Sequence, residues 1–294
     1  MNMPRLSRAH AAPWWLATPA LATYAAFLVI PLASIALISF QNFEFYGGIQ
    51  PGITLKNYRE VLGDSYYWEI FGRTFGIAAA VTVVCAVLGT LEAIVLYRMA
   101  DPWRSLFLLV VLGPLLISVV VRTLGWALLF GSTGLINNAL RGLGLISEPV
   151  QFMYSTTGVV IALVHVLVPF VVISVWASLQ RIDPAVERAA ISLGAGHLTV
   201  VRRVIVPLAM PGILAGSVIV FALAASAFAT PAIIGGRRLK VIATAAYDEF
   251  LNTLNWPLGA SLAVLLLAAN IVLLYASNRL IERRYRAVFA GSPT

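Results

Sequence analysis

Little in this sequence is equipped for covalent chemistry. Cys85 is the only cysteine and lies within an apolar run, so neither an internal disulfide nor a cysteine-rich metal site is possible. His165 sits in the stretch LVHVLVPF with no second histidine or cysteine nearby, and reads as a core residue. No H-E-x-x-H or G-x-S-x-G stretch occurs, and no G-x-x-x-x-G-K-S/T phosphate loop. The chain therefore has neither a nucleophile–base pair, nor a metal site, nor the means to hydrolyse ATP. What remains is charge placed where charge is costly. Arg122 and Glu92 interrupt otherwise apolar stretches. An ionisable group at membrane depth is a functional candidate by default, although Arg122 can equally snorkel or hold a loop. Glu92 is placed to pair with Arg98 or another nearby base.

A second concentration of polar chemistry is the segment ERAAISLGAGHLTVVRRVIVPLAMP at 187–211, set between two long apolar runs. Asp183 suits the N-cap of a helix, and Pro184 its first position, where a missing N–H costs nothing. Val186, Ala189, Ala190 and Leu193 then recur at helical spacing and predict one small-residue stripe. Gly194 and Gly196 are expected to supply left-handed backbone at the helix end, and Pro207 and Pro211 to break the chain before the next span. Such a helix lies on lipid headgroups or docks against a protein; periodicity does not separate the two.

The elements that position these residues follow from composition. Hydrophobic residues make up 60% of the 294-residue chain and charged residues 11%, against about 25% charged in soluble domains. Residues 9–43, 149–180, 204–236 and 250–278 contain no charged side chain. Each block exceeds the roughly 20 residues that a helix needs to cross a bilayer core. Two further runs, near 74–97 and 105–130, carry only Glu92 and Arg122. The sequence thus predicts an all-α polytopic membrane protein forming a single domain over 1–294. Its six spans fall near 14–40, 72–97, 105–130, 156–179, 208–234 and 257–280, with a charged loop over 181–207. Arg5 and Arg8 precede the first run, which is too long for the apolar core of a cleaved signal peptide, about 7–15 residues. An even number of spans puts both termini and the 181–207 loop on one face. That face holds most of the arginines, whereas Glu44, Glu60, Asp64, Glu69, Glu148, Asp248 and Glu249 fall on the other. The positive-inside rule makes the arginine-rich face cytoplasmic. The net charge of +8 collects at helix ends, where it meets anionic lipid headgroups rather than nucleic acid.

The 187–211 segment resembles the cytoplasmic loop signature of membrane permease subunits of ATP-binding cassette importers: E-A-A, three residues, G, nine residues, I-x-L-P. With Gly194 as anchor, Ala189 and Ala190 fill the alanine positions, Val204 and Val206 the aliphatic ones, and Pro207 the proline. Arg188 occupies the glutamate position, with Glu187 one residue earlier. The stretches VPFVVISVWASLQRIDPAVERAA (168–190), VVRTLGWALLFGSTGLINNAL (120–140), ATPAIIGG (229–236) and NWPLGAS (255–261) are similar, in that order, to the spermidine/putrescine type of these permeases.

The resemblance implies the type I importer permease fold in a bacterial inner membrane. It assigns Asp183, Glu187, Arg188, Ala189, Ala190, Gly194 and Pro207 to a coupling helix that docks on an ATPase dimer. ATP and magnesium belong to that partner, and this chain binds no cofactor. The other implied partners are a second homologous permease and a periplasmic binding protein, which docks around 41–70, 131–155 and 236–257. The solute path between the two permeases makes Arg122, Trp126, Phe228, Thr230, Pro231, Tyr247, Asp248 and Glu249 its candidate residues here. Thr230-Pro231 is expected to break the fifth span. Polyamine is the expected solute, with an opine, an amino-acid derivative or an organophosphonate as alternatives. The acid that many polyamine-type relatives carry ahead of this stretch is absent, since Ser226-Ala227 precede Phe228. An ion-coupled secondary transporter fits less well, because such proteins keep acids near the bilayer midplane and Glu92 lies near a span end.

Overall fold

The computed structural model describes residues 14–289. The chain runs α1 (Trp14–Tyr24), α2 (Ile30–Ile38), a hairpin of β1 (Asn42–Glu44) and β2 (Gly48–Gln50), α3 (Lys56–Gly63), α4 (Ser65–Arg98), α5 (Trp103–Leu116), α6 (Val119–Phe130) and α7 (Leu135–Gly142). It continues through α8 (Thr156–Leu179), α9 (Pro184–Ser192), α10 (His197–Val200), α11 (Val206–Ala225), α12 (Ile242–Leu251) and α13 (Trp256–Phe289). Among the described residues, six helical stretches are long and apolar enough to cross a membrane: Ala17–Ile38, Ser65–Arg98, Val119–Gly142, Thr156–Leu179, His197–Ala225 and Trp256–Arg279. Arg5 and Arg8, expected to help set the orientation, lie outside the described residues.

The core forms around α8, which packs against both α4 and α11. Apolar residues occur all round α8, and neighbours cover most of it: Val159, Ala162, Val171, Val172, Val175 and Leu179 are fully buried, while Ile173 stays exposed. Close approach depends on small residues. A Cβ added at Gly212 would stand 2.5 Å from the Ser174 carbonyl oxygen, and one at Gly216 2.9 Å from the Val171 Cα, so only glycine lets α11 lie this close to α8. The first span lies outside this core, against α13, with no residue of its apolar stretch buried.

Several expectations need correction. The predicted third span, 105–130, is broken: α5 ends just after Pro114, and extended Ile117 and Ser118 intervene before α6. The apolar stretch long enough to cross is Val119–Gly142, with α5 a shorter helix ahead of it. The predicted fifth span, 208–234, begins earlier and stops earlier. Its helix runs without a break from His197 to Ala225, so Pro207 and Pro211 do not interrupt it. A π turn over Val201–Ile205, closed by a bond from the Val206 N–H to the Val201 carbonyl, widens the backbone just ahead of Pro207. The region 236–257, one of those expected to receive a binding protein, contains a helix, α12, which packs on α13 and α4. Thr74 Oγ1, buried on α4, accepts from the Ile242 N–H at 3.0 Å and so satisfies a helix-start donor.

Candidate functional site

The two ends of the bundle carry most of the candidate residues. At one end, α9 forms as its sequence dictates. Asp183 Oδ1 accepts from the Ala185 N–H at 2.8 Å, and Pro184 follows at the first helical position. The helix closes with bonds from the Gly194 N–H to Ile191 O and from the Ala195 N–H to Ala190 O. That pair is a Schellman motif, and it requires left-handed backbone at the residue between. Gly194 supplies it, with φ +86°. Gly196 does not: it is extended, at φ −68° and ψ 157°, and serves instead as N-cap of α10.

The predicted stripe on α9 divides. Ala190 packs against the core, whereas Val186, Ala189 and Leu193 face outward, Leu193 with 89% of its surface exposed. Leu198 on α10 adds a further exposed apolar group beside them, at 79%. Arg188 is exposed and has no ion-pair partner among the described residues. Glu187 turns the other way and accepts from Arg98 Nη2 at 2.9 Å, which ties α9 to the end of α4. Arg98 was expected to be a partner for Glu92; it pairs with Glu187 because the end of α4 and the side of α9 meet. Pro207 lies one residue inside α11, directly after the π turn.

At the far end, the fifth span stops at Ala225 and the chain passes through Ser226–Phe228 before a π turn over Pro231–Gly235. The break expected at Thr230-Pro231 thus falls a few residues earlier, and Pro231 is buried at the start of the turn, where its missing N–H costs nothing. Thr230 is 2% exposed, and its hydroxyl lies 3.2 Å from that of Thr123 on α6. It joins two elements inside the chain.

Phe228 and Tyr247 come together, with ring centroids 4.8 Å apart. They border a cavity of about 220 Å³ also lined by Ala232, Gly236, Arg237, Lys240, Thr244 and Asp248. Lys240 Nζ lies 2.7 Å from Asp248 Oδ2, both side chains being about two-thirds buried. The Asp248 hydrogen bond raises the Lys240 pKa above its ordinary value, against a smaller opposing effect of burial, so the ammonium stays charged at neutral pH. Glu249, next in sequence, does not join this cavity; Thr253 Oγ1 donates to its carboxylate at 2.6 Å. Lys240, Arg237 and Thr244 have no signal in the sequence. Their meeting with Asp248 depends on how the chain turns back after the π turn.

The third-span candidates form a separate group. The Trp126 indole N–H donates to His165 Nδ1 at 3.1 Å, and its ring packs 4.9 Å from that of Phe130. His165 is thus a hydrogen-bonding partner between spans as well as a core residue. Nε and Nη1 of Arg122 are buried and have no acceptor among the described residues.

The backbone resembles solved importers. One neighbour, a bacterial ABC transporter for import of the acidic polysaccharide alginate, shares a TM-score of 0.78 at 18% identity, covering 92% of this chain and 94% of that one. Another, an inward-facing methionine ABC transporter, gives 0.56 at 17% identity over 75% of this chain and 98% of that one. These likenesses define the fold as that of a type I ABC importer permease. The family model described as "Binding-protein-dependent transport system inner membrane component" matches residues 9–287. The spermidine/putrescine transport system permease protein PotB of Escherichia coli K12 is 30% identical, covering 88% of this chain and 94% of its own length. A putative 2-aminoethylphosphonate transport system permease protein, PhnU of Salmonella paratyphi A, is 28% identical over 84% of this chain and 86% of its own. The chain belongs to the family of inner-membrane components of binding-protein-dependent transport systems. It is a multi-pass protein of the bacterial inner membrane.

Proposed function

We propose that this chain is the non-catalytic permease subunit of an ABC importer for polyamines, spermidine or putrescine. The similarity to PotB proteins, 27–30% identity over 88% of the chain, carries that reading. In it, both termini and α9 face the cytoplasm. Exposed Val186, Ala189, Leu193 and Leu198 dock on an ATPase partner, which holds ATP and magnesium. Movement of the ATPase reaches the spans along two rigid connections: the Arg98–Glu187 pair into α4, and the continuous helix through α10 into α11. The opposite face receives a periplasmic binding protein, and a second permease completes the solute path.

The test is uptake of radiolabelled putrescine and spermidine by cells holding this chain with its ATPase, partner permease and binding protein. Saturable uptake of either amine that is lost with the ATPase upholds the reading. A correctly assembled complex that imports neither overturns the polyamine assignment. A second reading, import of an aminophosphonate, is favoured by the similarity to PhnU and by the two cations, Arg237 and Lys240, beside Asp248.

A further inference from the structure

We infer that Lys240 is a built-in stand-in for the solute: its ammonium occupies Asp248 when the far-end cavity is empty, and a primary ammonium of the transported molecule takes its place. The inference rests on the importer reading above. Asp248 lies 2.7 Å from a primary ammonium that is already present, and the paired rings of Phe228 and Tyr247 line the same cavity. A carboxylate beside aromatic faces is the set that holds an alkylammonium, by charge-assisted hydrogen bonding and cation–π attraction. The cavity, at about 220 Å³, has room for a slender alkylamine end.

The exchange is ammonium for ammonium. Asp248 Oδ1 keeps its hydrogen bond from Asn252 Nδ2 at 2.8 Å throughout, and the exchange keeps Oδ2 paired as well, because an unpaired charge in a partly buried site would cost more than the pair itself contributes. Lys240 is suited to leaving. Its side chain is a flexible stem still 30% exposed, so the released ammonium reaches water. Its backbone stays in place, because Arg73 Nη1 donates to the Lys240 carbonyl at 3.2 Å. The other charged group on the cavity, Arg237, is exposed to solvent, which weakens its repulsion of an incoming cation. Thr244 Oγ1 is engaged with Val241 at the start of α12 and does not compete for the ammonium.

The two possible roles of the pair predict opposite signs for one substitution. The probe is radiolabelled putrescine, bound at equilibrium to the complete permease–ATPase complex in lipid nanodiscs without binding protein, so that only membrane sites contribute. With the competing ammonium removed, Lys240→Gln tightens putrescine binding about two- to fivefold, the range a part-exposed ion pair commands. Asp248→Asn weakens it about tenfold or more. If the pair is only a strut, Lys240→Gln leaves affinity unchanged or lowers it, and that result overturns the inference. So does wild-type affinity in Asp248→Asn, or an absence of binding in wild type while cells still take up the amine. Failure of the importer reading gives a different signal, namely no uptake of either polyamine by cells carrying the wild-type complex.

Discussion

The two ends of the bundle treat their polar and apolar groups in opposite ways. At the α9 end, apolar side chains stand exposed and Arg188 has no ion-pair partner among the described residues, while one ion pair fastens the helix to α4. At the far end, the cavity's carboxylate is answered within the chain, its rings are paired, and two N–H groups at the start of α12 are bonded by threonines. A surface kept for a permanent protein partner can leave its apolar groups uncovered, because the partner covers them. In the proposed importer, a site that is repeatedly emptied must be satisfied on its own each time, and the Lys240–Asp248 pair would do so.

Substitutions in the shared scaffold, at either end or between them sharpen this contrast. The largest effect is expected where both ends fail together. Gly212→Leu drives a side chain into the Ser174 carbonyl and Ser178, separating α11 from α8. Overpacking of this kind costs about 1–3 kcal/mol or more, and the membrane level and thermal midpoint of the complex should both drop. Normal amounts of normally stable protein would show that the α8–α11 contact is not what joins the ends.

Gly194→Val should strike the α9 end alone. Nothing lies within 4 Å of an added Cβ, so the lesion is conformational, a β-branched residue at φ +86°. The strain of about 1–2 kcal/mol distorts the α9 terminus while leaving the spans intact. Uptake should fall about tenfold at unchanged membrane level, with ATP hydrolysis no longer stimulated by solute. Full uptake would remove α9 from the coupling path.

Arg98→Glu sets two acids against each other at the tether and should lower uptake about two- to fivefold. Combining it with Glu187→Arg restores an ion pair of reversed polarity and should recover most of the loss. If the double variant is no better than the single one, the Arg98–Glu187 contact transmits nothing. The smallest effect belongs to Thr230→Val, which removes a hydroxyl contact to Thr123 between buried elements. Intramembrane hydrogen bonds of this kind average about 0.6 kcal/mol, so the thermal midpoint should drop slightly and uptake remain near normal. A large loss of uptake at normal stability would support the expected place of Thr230 on the solute path.

Much of the α9 end was legible in the sequence because its signals are local. A capping aspartate, a first-turn proline and a left-handed glycine act within a single helix, and all three take the expected places. Gly196 and Pro207 misled for a local reason as well. Extended backbone suits a glycine as readily as left-handed backbone does, and a π turn absorbs a proline that would otherwise break a helix. The far end was legible only in part. Phe228, Tyr247 and Asp248 stand out as aromatics and an acid beside apolar runs, but their division into one cavity, with Glu249 turned aside to Thr253, is a matter of long-range packing.

What the sequence determined by itself is whatever follows from hydrophobicity and short spacing: a multi-span membrane chain, a charged helix between the fourth and fifth spans, and the caps of that helix. A helix crosses a bilayer because every one of its backbone bonds is internal, so a run of apolar residues is enough to announce it. The tertiary structure alone decided which charges meet. Arg98 and Glu187 are 89 residues apart in sequence, and Arg73 reaches the carbonyl of Lys240 across 167. Charges pair at a few ångströms, and the distances that bring them together are set by how α4, α8 and α11 pack, which no stretch of the chain encodes alone.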